Sequence, residues 1–183
     1  MYIDRKPSTV MMVIDRIYHP IAQNMGISLI LRNEIITEIQ FPTKFFINLI
    51  QITGNLVANA VKFTSPNGLV DVVFTLNAEN NYNTLNLTVT NTGKIISSDL
   101  VSAFNQGKPV ANLMESNGEL GFGFRLEYVM QLVSEEGGRI YIESGIDTGT
   151  TFSLSLPLQN HYLNRRNGSH TIVTNGAVLH NGT

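Results

Sequence analysis

The sequence has no cysteine and no tryptophan, and the first absence is the more restrictive. Without thiols there is no disulfide framework, no thiolate metal centre and no cysteine nucleophile. Charge is scarce as well. Asp, Glu, Lys and Arg make up 14% of the residues, well below the usual quarter, so the polar surface must be built from Asn, Ser and Thr. Lys plus Arg number 12 against 14 Asp plus Glu, a formal net charge of −2, which leaves no electrostatic footprint for nucleic acid or an anionic membrane. Long apolar runs are missing too. Met1 to Val10 is broken by Asp4, Arg5, Lys6 and Pro7, so it is no secretory apolar region, and no other run approaches bilayer-spanning length.

What is present is enough for one substantial core: 183 residues, 43% of them hydrophobic, fill one domain. Val10, Met11, Ile14, Ile17 and Tyr18 recur at helical spacing behind a Ser8 or Thr9 cap, and this helix continues past Pro20 until Gly26 ends it. Ile27 to Leu31 and Ile35 to Ile39 read as β-like patches. Phe45 to Phe63 is helical again. Leu69 to Leu76 and Leu85 to Thr90 read as antiparallel strands around a hairpin loop, Asn77 to Asn83. Leu100 to Phe104 suggests one helical turn, and Asn105 to Gly118 a mobile lid. A last helix, Phe124 to Glu136, closes at Gly137 and Gly138. Strands Arg139 to Glu143 and Thr151 to Leu156 follow, joined by a Gly145–Gly149 turn. The expected class is α+β, a two-layer sandwich of a mixed, mostly antiparallel sheet against about three helices. Its domain is residues 1–158. Residues 159–183 form a polar tail, in which Asn175-Gly176 signals a weak hairpin over 171–180.

The chemistry concentrates on the second long helix. Its apolar side carries Leu49, Ile52, Leu56, Ala60 and Phe63, while Gln51, Asn55 and Asn59 form a polar stripe at one-turn spacing. Amides buried without partners cost roughly 1–3 kcal/mol each, so these either bond inside the fold or line a site. The run QITGNLVANAVKFT, Gln51 to Thr64, resembles the N box of sensor histidine kinases. Gly121-Phe122-Gly123-Phe124, ahead of a helix, resembles that family's second glycine box. Glycine there lets backbone N–H groups meet a phosphate at a helix N-terminus. Gly137 to Ser144, Gly149-Thr150-Thr151-Phe152 and Leu156-Pro157-Leu158 match its closing strands, and Phe104 stands where the family has its F box. The resemblance covers roughly Thr9 to Leu158, with the motifs in family order.

The resemblance implies a Bergerat ATP-binding fold and the ATP-binding catalytic domain of a two-component sensor histidine kinase. Its cofactors are ATP and Mg²⁺, with Asn59 as the metal ligand, Asn55 at the phosphates or metal shell, and Lys62 near the phosphates. Asn91, Gly93, Ile96, Phe104, Gly121, Phe122, Gly123 and Thr151 complete the nucleotide site, and no residue is assigned as a certain catalytic group. The first glycine box departs from the family's Asp-x-Gly-x-Gly: it reads Asn91-Thr92-Gly93-Lys94-Ile95, with an amide for the acid and isoleucine for the second glycine. Glu119 stands where many relatives carry a further glycine, and Lys108 is the lid's only cation. These departures support an alternative, a degenerate module that binds ATP weakly and serves protein interaction. Related ATPases such as type II topoisomerases, heat-shock chaperones and mismatch-repair proteins carry a glutamate base where Asn55 stands, which argues against hydrolysis as the main activity. His19, His161, His170 and His180 lack the family's phosphoacceptor context. The expected partners are therefore a histidine-containing dimerisation domain outside these residues and a response-regulator receiver domain. No nucleic acid and no direct membrane contact are expected, homodimers form only in the full-length protein, and the location is cytoplasmic, including the cytoplasmic part of a membrane-bound sensor.

Overall fold

The computed structural model describes residues 4–79, 82–108 and 123–158. The first helix, α1, spans Pro7–Asn24. Lys6 stands at its cap position without a side-chain cap bond, and Pro7 opens its first turn, where a missing N–H removes no helical bond. Ser8 and Thr9, expected as caps, are thus already inside the helix. α1 runs on through Pro20, and Gly26 follows its end with φ +67°.

Strand β1, Ser28–Asn33, lies parallel to β2, Leu69–Glu79. The connection between them carries α2, Thr43–Phe63. The β-like patch expected over Ile35 to Ile39 is not a strand. Ile36 is wholly exposed there, and only Ile39 is buried and bridged. The backbone of this segment turns instead to the residues ahead of α1: Phe41 N donates to the Arg5 carbonyl, and Arg5 Nε donates to the Phe41 carbonyl. Period-two hydrophobicity reported burial here but not a partner strand.

Strand β3, Tyr82–Asn91, pairs antiparallel with β2 from Val70↔Asn91 to Glu79↔Tyr82. The expected Asn77–Asn83 loop is therefore mostly ladder. Helix α3, Ser98–Asn105, is two turns rather than one. Helix α4, Gly123–Glu135, precedes β4, Arg139–Gly145, and β5, Gly149–Leu158. The described residues thus hold four helices rather than three, because the 98–105 segment completes a helix of its own. Sheet order is β1-β2-β3-β5-β4, with every pair but the first antiparallel.

Alternation decides the core. Val70, Val72 and Phe74 on β2, Leu85, Leu87 and Val89 on β3, and Phe152, Leu154 and Leu156 on β5 are all buried. They pack with Ile52, Leu56 and Val57 of α2 and with Leu126 and Val129 of α4. The opposite face of the same strands carries half-buried hydroxyls: Thr88, Thr90, Thr151 and Ser153. Ladder parity therefore sends Asn91 and Thr150, which oppose each other across β3 and β5, to the helical side.

Candidate functional site

The polar stripe of α2 divides three ways. Gln51 Oε1 accepts from the Tyr128 hydroxyl of α4 at 2.6 Å. Asn55 Nδ2 donates to the Gln51 carbonyl one turn back at 2.7 Å, the local competition open to short polar side chains in helices. Asn59 is 1% exposed, and neither its Oδ1 nor its Nδ2 has a hydrogen-bond partner among the described residues. Burying an amide without partners costs about 1–3 kcal/mol, and the fold holds this one without repaying it. One turn above Gln51, Asn48 Nδ2 donates to Glu136 Oε1 at 2.6 Å, which fixes α4 against α2.

A second orphan lies at the end of β3. Asn91 is 3% exposed, and its Nδ2 has no partner among the described residues. Gly93 follows, and here the glycine is obligatory: an added Cβ would stand 2.1 Å from the Phe63 carbonyl oxygen and 2.7 Å from Asn91 Nδ2. This contact seats the loop after β3 on the last turn of α2, one turn beyond Asn59, and Lys94 N donates to the Phe63 carbonyl at 2.9 Å. From the other side Ser144 Oγ accepts from Ile96 N at 2.9 Å, and Ser144 Oγ and Thr150 Oγ1 lie 2.7 Å apart. Thr150 Oγ1 also donates to the Lys94 carbonyl at 3.3 Å. Gly149, with φ +70°, lets β5 start against the Asn91 carbonyl, where a Cβ would come within 2.0 Å.

The expected site residues meet unequally. Gly93, with Asn91 beside it, sits against the last turn of α2, one turn beyond Asn59. Ile96 and Phe104 are buried in the main core, and nothing in their packing separates an anchoring role from core filling. Ile95 is 44% exposed, so the substitution for glycine leaves its side chain outside the packed loop. Thr151 is a correction. It lies on the outer sheet face, 3.1 Å from Thr90 through their hydroxyls, because β5 parity turns Thr150 inward instead. Thr150 is the residue the sequence reading missed, and counting two from Phe152 would have found it. Gly121 and Phe122 lie outside the described residues, as do Glu119, most of the expected lid, three of the histidines and the tail with its hairpin. Gly123 is the first residue of α4.

The start of α4 comes close to the same end of α2. Arg125 and Lys62 line one apolar groove of about 430 Å³, together with Ile17, Tyr18 and Ile21 of α1 and Met25 just after it. Burial pushes the Tyr18 phenol above its ordinary value, and neighbouring Arg125 pulls it the other way. Lys62 is exposed, with Nζ 5.0 Å from the Phe63 ring centre. His19 is an exposed α1 residue beside Asp15, 3.3 Å away. Among the described residues, no cluster of three or more His, Cys, Asp or Glu could hold a metal, and no helix is long and apolar enough to cross a membrane.

Residues 46–160 match the family model described as histidine kinase-, DNA gyrase B-, and HSP90-like ATPase. The autoinducer 2 sensor kinase/phosphatase LuxQ of Vibrio vulnificus is 32% identical over 148 residues, covering 80% of this chain and 17% of that protein. The heme sensor protein HssS of Staphylococcus haemolyticus is 31% identical over 110 residues, covering 60% of this chain and 22% of that protein. Among solved structures, the catalytic domain of histidine kinase ThkA superposes with TM-score 0.62 at 17% identity, covering 83% of this chain and 93% of that one. The histidine kinase domain of the Erythrobacter litoralis EL346 blue-light activated kinase gives 0.61 at 17% identity, covering 85% and 63%. The chain spans less than a quarter of the length of these two sensor proteins.

Proposed function

Because this chain belongs to the histidine kinase-, DNA gyrase B-, and HSP90-like ATPase family, we propose that residues 1–158 are the ATP-binding catalytic domain of a sensor histidine kinase. Its γ-phosphoryl group passes to a histidine on a dimerisation domain outside these 183 residues, and from there to a response-regulator receiver. The observation that carries this reading is Asn59: a buried amide with neither atom partnered among the described residues, one turn before the glycine-seated loop that follows a second such amide, Asn91. An amide oxygen is a hard ligand, and Mg²⁺ takes few protein ligands beside its waters and phosphates, so Asn59 fits the metal. A Mg²⁺ ion held by Asn59 would neutralise charge that builds up on the phosphates during transfer.

The chain's own groups supply position. Asn55, one turn before Asn59 on α2, would reach the phosphates or the metal shell, and Lys62, three residues beyond Asn59, would lie near the phosphates. Gly123 opens α4, and the dipole at the N-terminus of that helix would favour a phosphate. Asn91 and Gly93 hold the base end, with Thr150 fixing their loop. Holding the reactants in line is the main contribution such a site can make to phosphoryl transfer. A cytoplasmic location follows from the ATP requirement.

Titration with a fluorescent ATP analogue, with and without Mg²⁺, tests the reading. Binding should depend on Mg²⁺ and weaken at least about tenfold in Asn59→Ala, the effect of one charge-assisted contact. No binding at millimolar nucleotide would favour the degenerate interaction module instead.

A further inference from the structure

Asn91 does more than weaken an acidic contact. The neighbouring hydroxyls bond elsewhere: Thr150 Oγ1 to Ser144 Oγ and the Lys94 carbonyl, while Thr92 Oγ1 accepts from Leu69 N. Its own Nδ2 is sealed from water without a partner among the described residues, 2.7 Å from where a Cβ on Gly93 would stand. The group that completes this nitrogen is therefore an acceptor that the described fold does not supply. A carboxylate in the same place could only accept, and would select a base edge bearing an amino donor. An amide carries donor and acceptor on one planar group. As it stands, Nδ2 suits a carbonyl oxygen, and a half-turn about the terminal torsion offers Oδ1 to an amino group instead.

We propose that Asn91 is a specificity-determining residue that opens the base end of the site to 6-oxo purines, so that guanosine and inosine triphosphates bind beside ATP. The proposal rests on the nucleotide-binding reading above. Its chemistry is the pairing of one side-chain amide with either purine edge, at neutral hydrogen-bond strength in both cases.

The test is displacement of the fluorescent ATP analogue from the whole chain by ATP, GTP, ITP and CTP in the presence of Mg²⁺. ATP, GTP and ITP should compete within about tenfold of one another, since the bonds exchanged are both neutral, and CTP should compete less well. Asn91→Asp should tighten ATP up to about tenfold and widen the ATP-to-GTP ratio to about a hundredfold, because the carboxylate then faces a carbonyl. Asn91→Ala, which buries no charge, should weaken ATP and GTP by similar factors and keeps the test open if the Asp variant does not fold. A wild-type preference for ATP beyond about a hundredfold would overturn the proposal, as would an unchanged ratio in a folded Asn91→Asp, or CTP binding as well as the purines. Failure of the analogue itself to bind would bring down the nucleotide reading, and this proposal with it.

Discussion

Asn59 separates two roles that a buried polar residue can have. An amide bonded within the fold stabilises it, whereas one without partners costs the fold about 1–3 kcal/mol. Asn59→Ala should therefore abolish Mg²⁺-dependent nucleotide binding while leaving the urea midpoint unchanged or raised. A loss of more than about 1 kcal/mol would mean that the amide has a partner inside the protein. Gly93 is the opposite case. Its missing Cβ is where the Phe63 carbonyl oxygen sits, at 2.1 Å from the ideal position, and backbone cannot swing aside as a side-chain tip can. Gly93→Ala should cost about 1–3 kcal/mol, the range for overpacking, and weaken nucleotide binding by moving Asn91. An equilibrium denaturation curve matching the wild type would show that the loop does not sit on α2 as described.

At the scale of elements, the end of the sheet is held by a side chain acting as a strand. β4 is an edge strand, and edge backbone left unpaired invites other chains. Asn105, the last residue of α3, donates from Nδ2 to the Ile142 carbonyl and accepts from Ile142 N at Oδ1, both at 2.9 Å. This closes part of the edge and ties α3 to β4, beside the Ser144 that holds Ile96. Asn105→Ala should cost about 1–3 kcal/mol, the range for two lost bonds with backbone groups left exposed or unpaired. It should also speed amide exchange at Ile142 relative to the central strands. In the sequence Asn105 reads as the start of the mobile lid, because the partner that fixes it lies 37 residues on. The helices α1, α2 and α4, by contrast, were legible to within a few residues, since the 3.6-residue apolar repeat is a local signal that the core then uses. The Ile35–Ile39 segment had the alternation without the neighbour, and pairing is what makes a strand.

For the molecule as a whole, a site carrying orphaned amides gains stability when a ligand completes them. Saturating ATP and Mg²⁺ at about a hundred times Kd should add about 2.7 kcal/mol, or roughly 5–10 °C in melting temperature for a domain of this size. Neither ATP nor Mg²⁺ alone should give the full shift, and Asn59→Ala should remove it. An equal shift without the metal would sever Asn59 from the metal role.

The order of the motifs, the inward faces of the strands and the one-turn spacing of Gln51, Asn55 and Asn59 are written into the chain, because each depends on residues within a turn or a strand of one another. Which amide of that stripe stays unpaired is not. Gln51 finds Tyr128 on α4, Asn55 finds its own helix, and Asn59 finds no partner among the described residues. Ladder parity likewise turned Asn91 and Thr150, rather than Thr151, to the helical side, and close packing on Phe63 fixed the loop at Gly93. These outcomes turn on which groups meet across long stretches of chain, and hydrogen-bond satisfaction is settled only when packing has brought the partners together.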